Sequence, residues 1–266
     1  MRYLFESWAE TASRIRKARH ILFLSDFDGT LTPIVERPED AVMPEQVRGL
    51  LRSLAKNHHY TVGIISGRAL LDLMIRVDVR GIIYAGNHGM EIYGKGVSFV
   101  EPVAEGMQSL LRVLHHALSI ALKGIKGVIV ENKGLSLSVH YRLAEEKEHQ
   151  RIKDIFEHVS GPLHAGGGIK VTFGKKVYEV RPPVAWNKGK AVEWLVATRG
   201  GDRSKGDAWP IFLGDDLTDE DGFAAVKERQ GLSVFVGDKA VASEADYYLP
   251  SPKEVELLLR RLTEIR

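Results

Sequence analysis

Two aspartates stand one residue apart in the segment ILFLSDFDGTL at residues 21–31, directly after an apolar run. Asp26 and Asp28 are at positions i and i+2, so an extended backbone directs both side chains to the same side. Two carboxylates this close repel each other unless positive charge lies near them. Asp26 could attack phosphorus as a nucleophile, while Asp28 donates a proton to the leaving oxygen and later takes one from water. An Asx turn that ends a strand is the structural alternative.

A second acidic group follows another apolar run, in FLGDDLTDEDGF at residues 212–223. Asp215 and Asp216 stand where a strand is expected to end, and Thr218 and Asp219 are expected to cap and begin the next helix. Two acidic strand ends in one parallel sheet can meet around a hard cation, and Mg²⁺ prefers such oxygen ligands. Helix capping alone is the alternative for the residues after Asp216.

Several residues near these carboxylates suit a phosphate group. Gly29 and Thr30 allow a turn whose N–H groups can face phosphate oxygens. In IISGR at residues 64–68, Ser66 ends a strand and is expected to cap a helix, where phosphates also bind. Lys188 begins a helix and is expected to neutralise phosphate charge, while its neighbour Lys190 is expected to be solvated.

Strands and helices must alternate to position these groups. Apolar runs bounded by turn residues predict strands at 21–25, 60–66, 81–86, 209–214 and 232–237. Apolar residues at helical spacing predict helices at 44–57, 188–200 and 219–231. This alternation predicts an α/β fold with a parallel sheet covered by helices, which binds ligands at the carboxyl ends of its strands.

The middle of the chain has a different pattern. A helix is expected at 101–118, strands at 127–133 and 135–143, a charged helix at 144–159, and strands at 168–174 and 175–182. The alternating polarity of LSLSVHY is typical of an antiparallel strand with one face in water. We therefore predict a core domain over 1–102 and 183–266, interrupted by an α/β cap domain over 103–182. A small hairpin over 88–102, turning at Gly94–Gly96, precedes the cap.

Composition excludes several classes of protein. The chain has 266 residues, no cysteine and a formal net charge of +2. Disulfides, thiolate catalysis and zinc–thiolate sites are therefore excluded, and no nucleic-acid or membrane partner is expected. An ordinary amphipathic helix is expected at the N-terminus in place of a targeting segment. We expect a cytoplasmic protein, and a monomer.

The combined motifs resemble those of the haloacid dehalogenase superfamily. Asp26-Phe-Asp-Gly-Thr-Leu, Ser66, Lys188 and Gly214-Asp-Asp match its four motifs in order across the chain. Further matches indicate the trehalose-6-phosphate phosphatase family within it; they are Ile65-Ser-Gly-Arg68, Gly86-Asn-His-Gly89, Val130-Glu-Asn-Lys133, Tyr178-Glu-Val-Arg-Pro182, Asn187-Lys-Gly189 and Gly214-Asp-Asp-Leu-Thr-Asp-Glu220. The resemblance implies a Rossmann-like core with an α/β cap between the second and third motifs.

The same resemblance implies a role for each matched residue. Asp26 is the expected nucleophile, Asp28 the expected acid and base, and Ser66 and Lys188 are expected to bind the phosphoryl group. Mg²⁺ would be held by Asp26, the backbone carbonyl of Asp28, and Asp215. The remaining substrate-binding residues would be Gly67, Arg68, Asn87, Glu131, Lys133 and Glu179. Supporting positions beside the reaction centre would be Thr30, Asp216 and Asp219.

The implied activity is Mg²⁺-dependent hydrolysis of trehalose 6-phosphate to trehalose and phosphate through an aspartyl phosphate, the last step of trehalose biosynthesis. One alternative is a related phosphatase acting on a sucrose-phosphate or mannosyl-3-phosphoglycerate type of substrate. Another is a phospho-acceptor signalling domain, although such domains lack an insert of about this size. A non-catalytic sugar-phosphate-binding protein would be expected to lose Asp26 or Asp28, and both are present.

Overall fold

The computed structural model describes residues 1–200 and 208–265. Residues 201–207, which belong to the predicted second core segment, lie outside the described part. The strands are β1 (Arg2–Tyr3), β2 (Ile21–Ser25), β3 (Tyr60–Ile65), β4 (Ile83–Gly86), β5 (Glu91–Gly94), β6 (Val97–Val100), β7 (Ile129–Asn132), β8 (Leu137–His140), β9 (Lys170–Gly174), β10 (Val177–Arg181), β11 (Trp209–Gly214), β12 (Leu232–Val236) and β13 (Tyr247–Leu249). The α-helices are α1 (Trp8–Lys17), α2 (Glu45–Lys56), α3 (Leu70–Val77), α4 (Pro102–Gly106), α5 (Gln108–Ala121), α6 (His149–Ala165), α7 (Lys188–Gly200), α8 (Glu220–Glu228) and α9 (Pro252–Glu264).

The chain divides into two compact units. Unit 1 comprises Met1–Phe99 and Trp186–Arg266, and unit 2 comprises Val100–Ala185. In unit 1, Phe99 and Trp186 stack with their ring centroids 4.6 Å apart. The chain therefore leaves unit 1 and returns to it at neighbouring points.

Unit 1 is built on one sheet whose strand order is β1-β13-β12-β11-β2-β3-β4-β5-β6. From β1 to β4 each neighbouring pair is parallel, while β5 runs antiparallel to β4. This parallel centre flanked by helices confirms the predicted α/β fold. The hairpin of β5 and β6 is also confirmed, and its turn residue Lys95 has a φ of 44°.

The central strand β2 is buried on both faces. Ile21 and Phe23 belong to one apolar cluster, which includes residues of α2 and α9, whereas Leu22 and Leu24 belong to a second cluster, which includes residues of α7 and α8. A strand covered on both sides must be apolar at every position, which explains the unbroken run ILFL. The same burial holds β2 rigidly, and the polar residues begin where it ends.

Unit 2 contains an antiparallel sheet of order β7-β8-β10-β9. Leu114 of α5 and Phe156 of α6 join Val139 and Tyr178 in one buried cluster. Both helices therefore cover the same face of this sheet. The strand residues between those cluster members belong to the opposite face, as the alternating pattern predicted.

Three details of the expected elements were wrong. The helix expected at 101–118 is two helices, α4 and α5, separated at Met107, where the weak helix former Gly106 precedes. Ser66 does not cap α3, since that helix begins at Leu70 with Ala69 before it. Thr218 is not the cap of its turn, because Asp216 caps a 3₁₀ turn over Leu217–Asp219 that leads into α8. No elements were predicted for β1, β13 and α9.

Candidate active site

The first, second and fourth motifs end neighbouring strands of the unit 1 sheet. Because β11, β2 and β3 are adjacent and parallel, their carboxyl ends meet at one edge of the sheet. Asp26 follows β2, and its N–H donates to the carbonyl of Leu213 in β11 at 2.8 Å. Ser66 follows β3, and its N–H donates to the carbonyl of Ala85 in β4 at 2.9 Å. These ladder bonds fix the backbone from which the side chains project.

Lys188 reaches this edge from the first residue of α7. Its Nζ donates to Asp26 Oδ1 at 2.8 Å and to Asp219 Oδ1 at 2.7 Å, and all three side chains are buried. Burial opposes the charge of Lys188, yet attraction to Asp219 and Asp26 outweighs it and raises the pKa of Lys188. Burial raises the pKa of Asp26 well above its usual range, although Lys188 opposes this and the neighbouring carboxylates add to it.

Asp219 organises the strand end after β11. Its Oδ2 accepts the N–H groups of Asp215 at 3.1 Å and Asp216 at 3.2 Å, while its Oδ1 accepts from Lys188. Burial raises the pKa of Asp219 to about 6, Lys188 opposing this and Asp216 adding to it. Both carboxylate oxygens of this side chain are therefore engaged in holding its neighbours.

The carboxylate of Asp215 is less engaged in hydrogen bonds within the protein than that of Asp219. Thr30 Oγ1 lies 3.5 Å from Asp215 Oδ1, and Gly29, with a φ of +84°, faces the same carboxylate so closely that a Cβ would overlap it. Burial, then repulsion from Asp219 and Asp216, raises the pKa of Asp215 to about 7. Asp216, which accepts from the N–H and hydroxyl of Thr218, is instead exposed.

Three carboxylates at this edge are spaced for a metal ion. Asp26, Asp215 and Asp219 each offer an oxygen within 4.8 Å of the others. Burial, with repulsion between neighbouring carboxylates added to it, raises the pKa values of all three, and a divalent cation would offset both effects. The residues therefore fit a hard cation, and Asp219, which was expected only to support the reaction centre, belongs to this group. The side chain of Asp28 is not a member of it.

Asp28 is bound by an arginine. Arg68 Nε donates to Asp28 Oδ2 at 2.7 Å, and Arg68 Nη2 donates to Asp28 Oδ1 at 2.7 Å. The two aspartates of the opening motif thus have different cationic partners, Lys188 for Asp26 and Arg68 for Asp28. The side chain of Arg68 is buried.

The loops after β3 and β4 are tied together beside Ser66. The hydroxyl of Ser66 accepts the N–H of Arg68 at 3.2 Å, and the carbonyl of Ser66 accepts the N–H of His88 at 2.9 Å. Gly67 lies against the His88 ring, where a Cβ would approach it within 2.7 Å. Asn87 is fully buried and donates to Glu91 Oε1 at 3.1 Å. The packing explains why Gly67 has no side chain.

The predicted sugar-binding residues lie in unit 2. Glu131 of β7 and Glu179 of β10 both align with Ser138 of the strand between them, so they share one face of the sheet. Lys133 Nζ donates to Glu179 Oε1 at 3.3 Å. The Nε2 atom of His140 lies 2.9 Å from Glu131 Oε2. The structure therefore brings these three charged residues together on the face opposite the helices.

Two further residues, which were not predicted from the sequence, contact the predicted site. His140 is one, and the alternating pattern of LSLSVHY already placed it on the same strand face as Ser138. Asp72, which accepts a hydrogen bond from Arg68, is the other. Its position four residues after Arg68 at the start of a helix was the available signal.

A cavity of about 580 Å³ in unit 1 is lined by residues at the opposite end of β4, among them Met74, Arg80 and Tyr93. None of the predicted site residues lines it.

No helix in the described part of the chain is long and apolar enough to span a membrane.

The family model described as trehalose-phosphatase matches residues 24–253 of this chain. The chain belongs to the trehalose-phosphatase family. The probable trehalose-phosphate phosphatase D of Arabidopsis thaliana is 35% identical over 273 residues, which cover 98% of this chain and 71% of the plant protein. Members of this trehalose-phosphatase family are phosphoric monoester hydrolases, so the predicted class of enzyme is confirmed.

Solved structures share the fold. The C-terminal domain of trehalose-6-phosphate phosphatase from C. albicans has a TM-score of 0.80 at 24% identity and covers 97% of each chain. A haloacid dehalogenase-like hydrolase from Bacteroides thetaiotaomicron has a TM-score of 0.62 at 17% identity, covering 91% of this chain and 99% of that chain. At such identities the likeness concerns the fold, and it confirms that this trehalose-phosphatase family member has the predicted superfamily fold.

Proposed function

We propose that this protein hydrolyses trehalose 6-phosphate to trehalose and inorganic phosphate, with Mg²⁺ and through an aspartyl phosphate (an acyl phosphate) formed on Asp26. The observation that carries the proposal is the buried group of Asp26, Asp215 and Asp219 with Lys188 between two of its members. Family membership supports trehalose 6-phosphate as the substrate, because the family and its relatives are named as trehalose-phosphate phosphatases. The reaction would be the last step of trehalose biosynthesis.

The cation would be held by Asp26, Asp215 and the backbone carbonyl of Asp28. Asp219 is less suited as a ligand, since its two oxygens already accept from Lys188 and from two backbone N–H groups. When bound, Mg²⁺ would supply positive charge that lowers the cost of bringing a phosphoryl group beside these carboxylates.

In the first step an Asp26 oxygen attacks phosphorus, and the bond between phosphorus and the sugar oxygen breaks. Asp28 gives its proton to that oxygen, so the sugar leaves as an alcohol. In the second step Asp28 takes a proton from water, the water oxygen attacks phosphorus, and the bond to Asp26 breaks. Inorganic phosphate then leaves, and both aspartates return to their starting states.

Lys188 and Ser66 would bind the phosphoryl group, Lys188 by charge and Ser66 by its hydroxyl. Thr30 would support the site by its contact with the Asp215 carboxylate. Asp216 would support it by capping the turn that leads into α8. Gly67 and Asn87 would complete the phosphate side of the site with Arg68. This part of the proposal rests on unit 1 alone.

The sugar would be recognised by Glu131, Lys133 and Glu179. Carboxylates accept hydrogen bonds from sugar hydroxyls and an ammonium group donates to them, so a cluster of both suits a disaccharide. The predicted cap domain, residues 103–182, would be formed within unit 2, and the predicted core, residues 1–102 and 183–266, would consist mainly of unit 1.

A phosphate-release assay tests the proposal. Trehalose 6-phosphate, sucrose 6-phosphate and glucose 6-phosphate are compared at equal concentration, each with Mg²⁺ and with a chelator in its place. We expect rapid release from trehalose 6-phosphate with Mg²⁺ only. Faster release from sucrose 6-phosphate would reject the substrate, and full activity with chelator would reject the metal.

The nucleophile is tested with Asp26→Asn. This variant is expected to lose turnover by at least about 10⁴-fold while keeping its fold, because an amide cannot replace the attacking carboxylate. Asp78→Asn is the matched control, since Asp78 is exposed and forms a long ion pair of 3.9 Å with Arg52. Turnover by Asp26→Asn close to that of the control would reject the aspartyl-phosphate mechanism.

A further inference from the structure

Four side chains of alternating charge form a hydrogen-bonded row that begins at Asp28 and continues along α3. Arg68 binds Asp28 through two hydrogen bonds of 2.7 Å, and its Nη1 donates to Asp72 Oδ2 at 2.7 Å. Asp72 in turn accepts from Arg76 Nε at 2.8 Å with each carboxylate oxygen. The order along this row is Asp28, Arg68, Asp72 and Arg76.

The guanidinium of Arg68 is almost fully used by these contacts. Besides its bonds to Asp28 and Asp72, its Nη2 donates to the carbonyl of Pro38 at 2.9 Å. Four of the five N–H donors of an arginine are thereby engaged. The guanidinium also lies 5.3 Å from the centre of the Phe27 ring, and the residue is only 8% exposed. Arg68 is therefore held in one orientation, and the orientation of Asp28 follows from it.

Asp72 is itself fixed by the helix and the neighbouring loop. It lies in the first turn of α3, four residues from both Arg68 and Arg76. Arg76 donates further to the carbonyls of Glu39 at 2.9 Å and Ala41 at 3.1 Å. Burial opposes the charge of Asp72, yet hydrogen bonds from Arg76 and Arg68 outweigh it and lower the pKa of Asp72. Asp72 thus stays ionised between two arginines.

We propose that Asp72 is a positioning residue for phosphate-ester hydrolysis, which sets the orientation of the Asp28 carboxylate through Arg68. Asp72 would touch neither substrate nor metal. Its contribution would be geometric, because a proton carrier must lie within hydrogen-bond reach of the leaving oxygen and displacement of about 1 Å can cost about 100-fold in rate. The inference rests on the proposed role of Asp28 in hydrolysis.

Asp72→Asn tests the proposal kinetically. The amide keeps the size of the side chain but removes the charge, and it replaces one of the two acceptor oxygens with an NH₂ group that cannot accept from an arginine. We expect kcat for trehalose 6-phosphate to fall about tenfold or more, with KM within about twofold of wild type. Asp72→Glu restores the carboxylate and is expected to recover most of the lost rate. Asp78→Asn, at the C-terminal end of the same helix, is the matched control and is expected to behave as wild type.

A double-variant cycle shows whether Asp72 acts through Arg68. In an Arg68→Gln background, Asp72→Asn is expected to lower kcat no further, because the connecting guanidinium is already absent. Wild-type kcat in Asp72→Asn would overturn the proposal. So would two losses that simply multiply in the double variant, since this would show that Asp72 acts independently of Arg68.

A spectroscopic measurement gives a readout that does not depend on activity. The Arg68 Nε–H bonded to Asp28 is expected to give a distinct, slowly exchanging NMR signal in wild type, assigned by its loss in Arg68→Gln. Asp72→Asn is expected to broaden or shift this signal while Asp72→Glu retains it, in the absence of substrate and metal. An unchanged signal in Asp72→Asn would overturn the proposal. An altered signal in a protein that releases no phosphate from any sugar phosphate would support the positioning and reject the proposed function.

Discussion

Lys188 and Asp219 form a buried ion pair in which Nζ and Oδ1 lie 2.7 Å apart, with both side chains almost completely withdrawn from solvent. The other oxygen of Asp219 holds the backbone of Asp215 and Asp216. One carboxylate therefore sets both the position of the cationic side chain and the path of the strand end that carries Asp215. Phosphoryl transfer depends mainly on such positioning and on neutralisation of charge.

Replacement of Lys188 should destabilise the protein far more than replacement of its neighbour. In Lys188→Met the buried carboxylates of Asp26 and Asp219 lose their cation, which is expected to cost about 3–5 kcal/mol in the free energy of unfolding at pH 8 without metal. Lys190→Met is the control, because Lys190 forms an exposed pair with Glu193, so its replacement is expected to leave the free energy of unfolding almost unchanged. Urea unfolding measures both, and equal losses would contradict the buried-pair argument.

Gly29→Ala should weaken the metal site. The added Cβ would overlap the carboxylate of Asp215, and the φ of +84° disfavours any side chain. We expect Mg²⁺ affinity, measured by calorimetry, to fall at least about tenfold. Gly49→Ala is the control, because Gly49 lies inside α2 and a Cβ there would meet no atom within 4 Å. Since alanine favours a helix more than glycine does, the free energy of unfolding should rise by about 0.5–1 kcal/mol. Unchanged Mg²⁺ affinity in Gly29→Ala would show that Asp215 does not bind the ion.

Stabilisation by Mg²⁺ should depend on pH. The pKa of Asp215 rises from 3.8 to about 7 on folding without metal, so its ionisation destabilises the folded state as pH rises through that window. Above pH 7 a bound cation offsets this cost, whereas at lower pH protons compete for the carboxylate. We expect Mg²⁺ at about 100 times its dissociation constant to add roughly 2.7 kcal/mol at pH 8.

Thermal unfolding with Mg²⁺ and with chelator, at pH 5.5 and pH 8, measures this difference. The shift in midpoint caused by Mg²⁺ should be clearly larger at pH 8, and Asp215→Asn should abolish most of it. Equal shifts at the two pH values would contradict the assignment of Asp215 as a ligand.

Substitutions on the face of the unit 2 sheet opposite its helices should weaken sugar binding and leave the phosphoryl chemistry unchanged. Glu179→Gln keeps the size of a side chain that accepts from Lys133 but removes its charge. We expect KM for trehalose 6-phosphate to rise about tenfold or more, the effect of losing one hydrogen bond to a charged group. Turnover of p-nitrophenyl phosphate, which has no sugar, should change by less than about twofold.

Glu157→Gln is the control for the unit 2 experiment. Glu157 is exposed on α6 and pairs with Lys153 at 3.7 Å, so this variant should match wild type with both substrates. If Glu179→Gln lost as much activity with p-nitrophenyl phosphate as with trehalose 6-phosphate, the defect would be general, and Glu179 would not be a sugar-recognition residue.

The local sequence pattern was sufficient to predict the bounds of strands that are buried along nearly their whole length. The runs ILFLS and WPIFLG become β2 and β11 with the predicted bounds, because a strand covered on both faces needs apolar residues throughout. By contrast β1, with two residues, and β13, with three, are too short to show a periodic pattern. Their pairing is between strands 245 residues apart in the chain, which local preference does not encode.

The sequence by itself determined the class of fold, the family, and the set of strand ends at which polar residues gather. Residue type and spacing are enough for this, since they record burial and backbone turns. Only the tertiary structure decided which charges are partners: Lys188 joins Asp26 across 162 positions, and Arg68 binds Asp28 across 40. Attraction between charges depends on distance in space and on exclusion of water, and both arise only when the sheet brings its strand ends together.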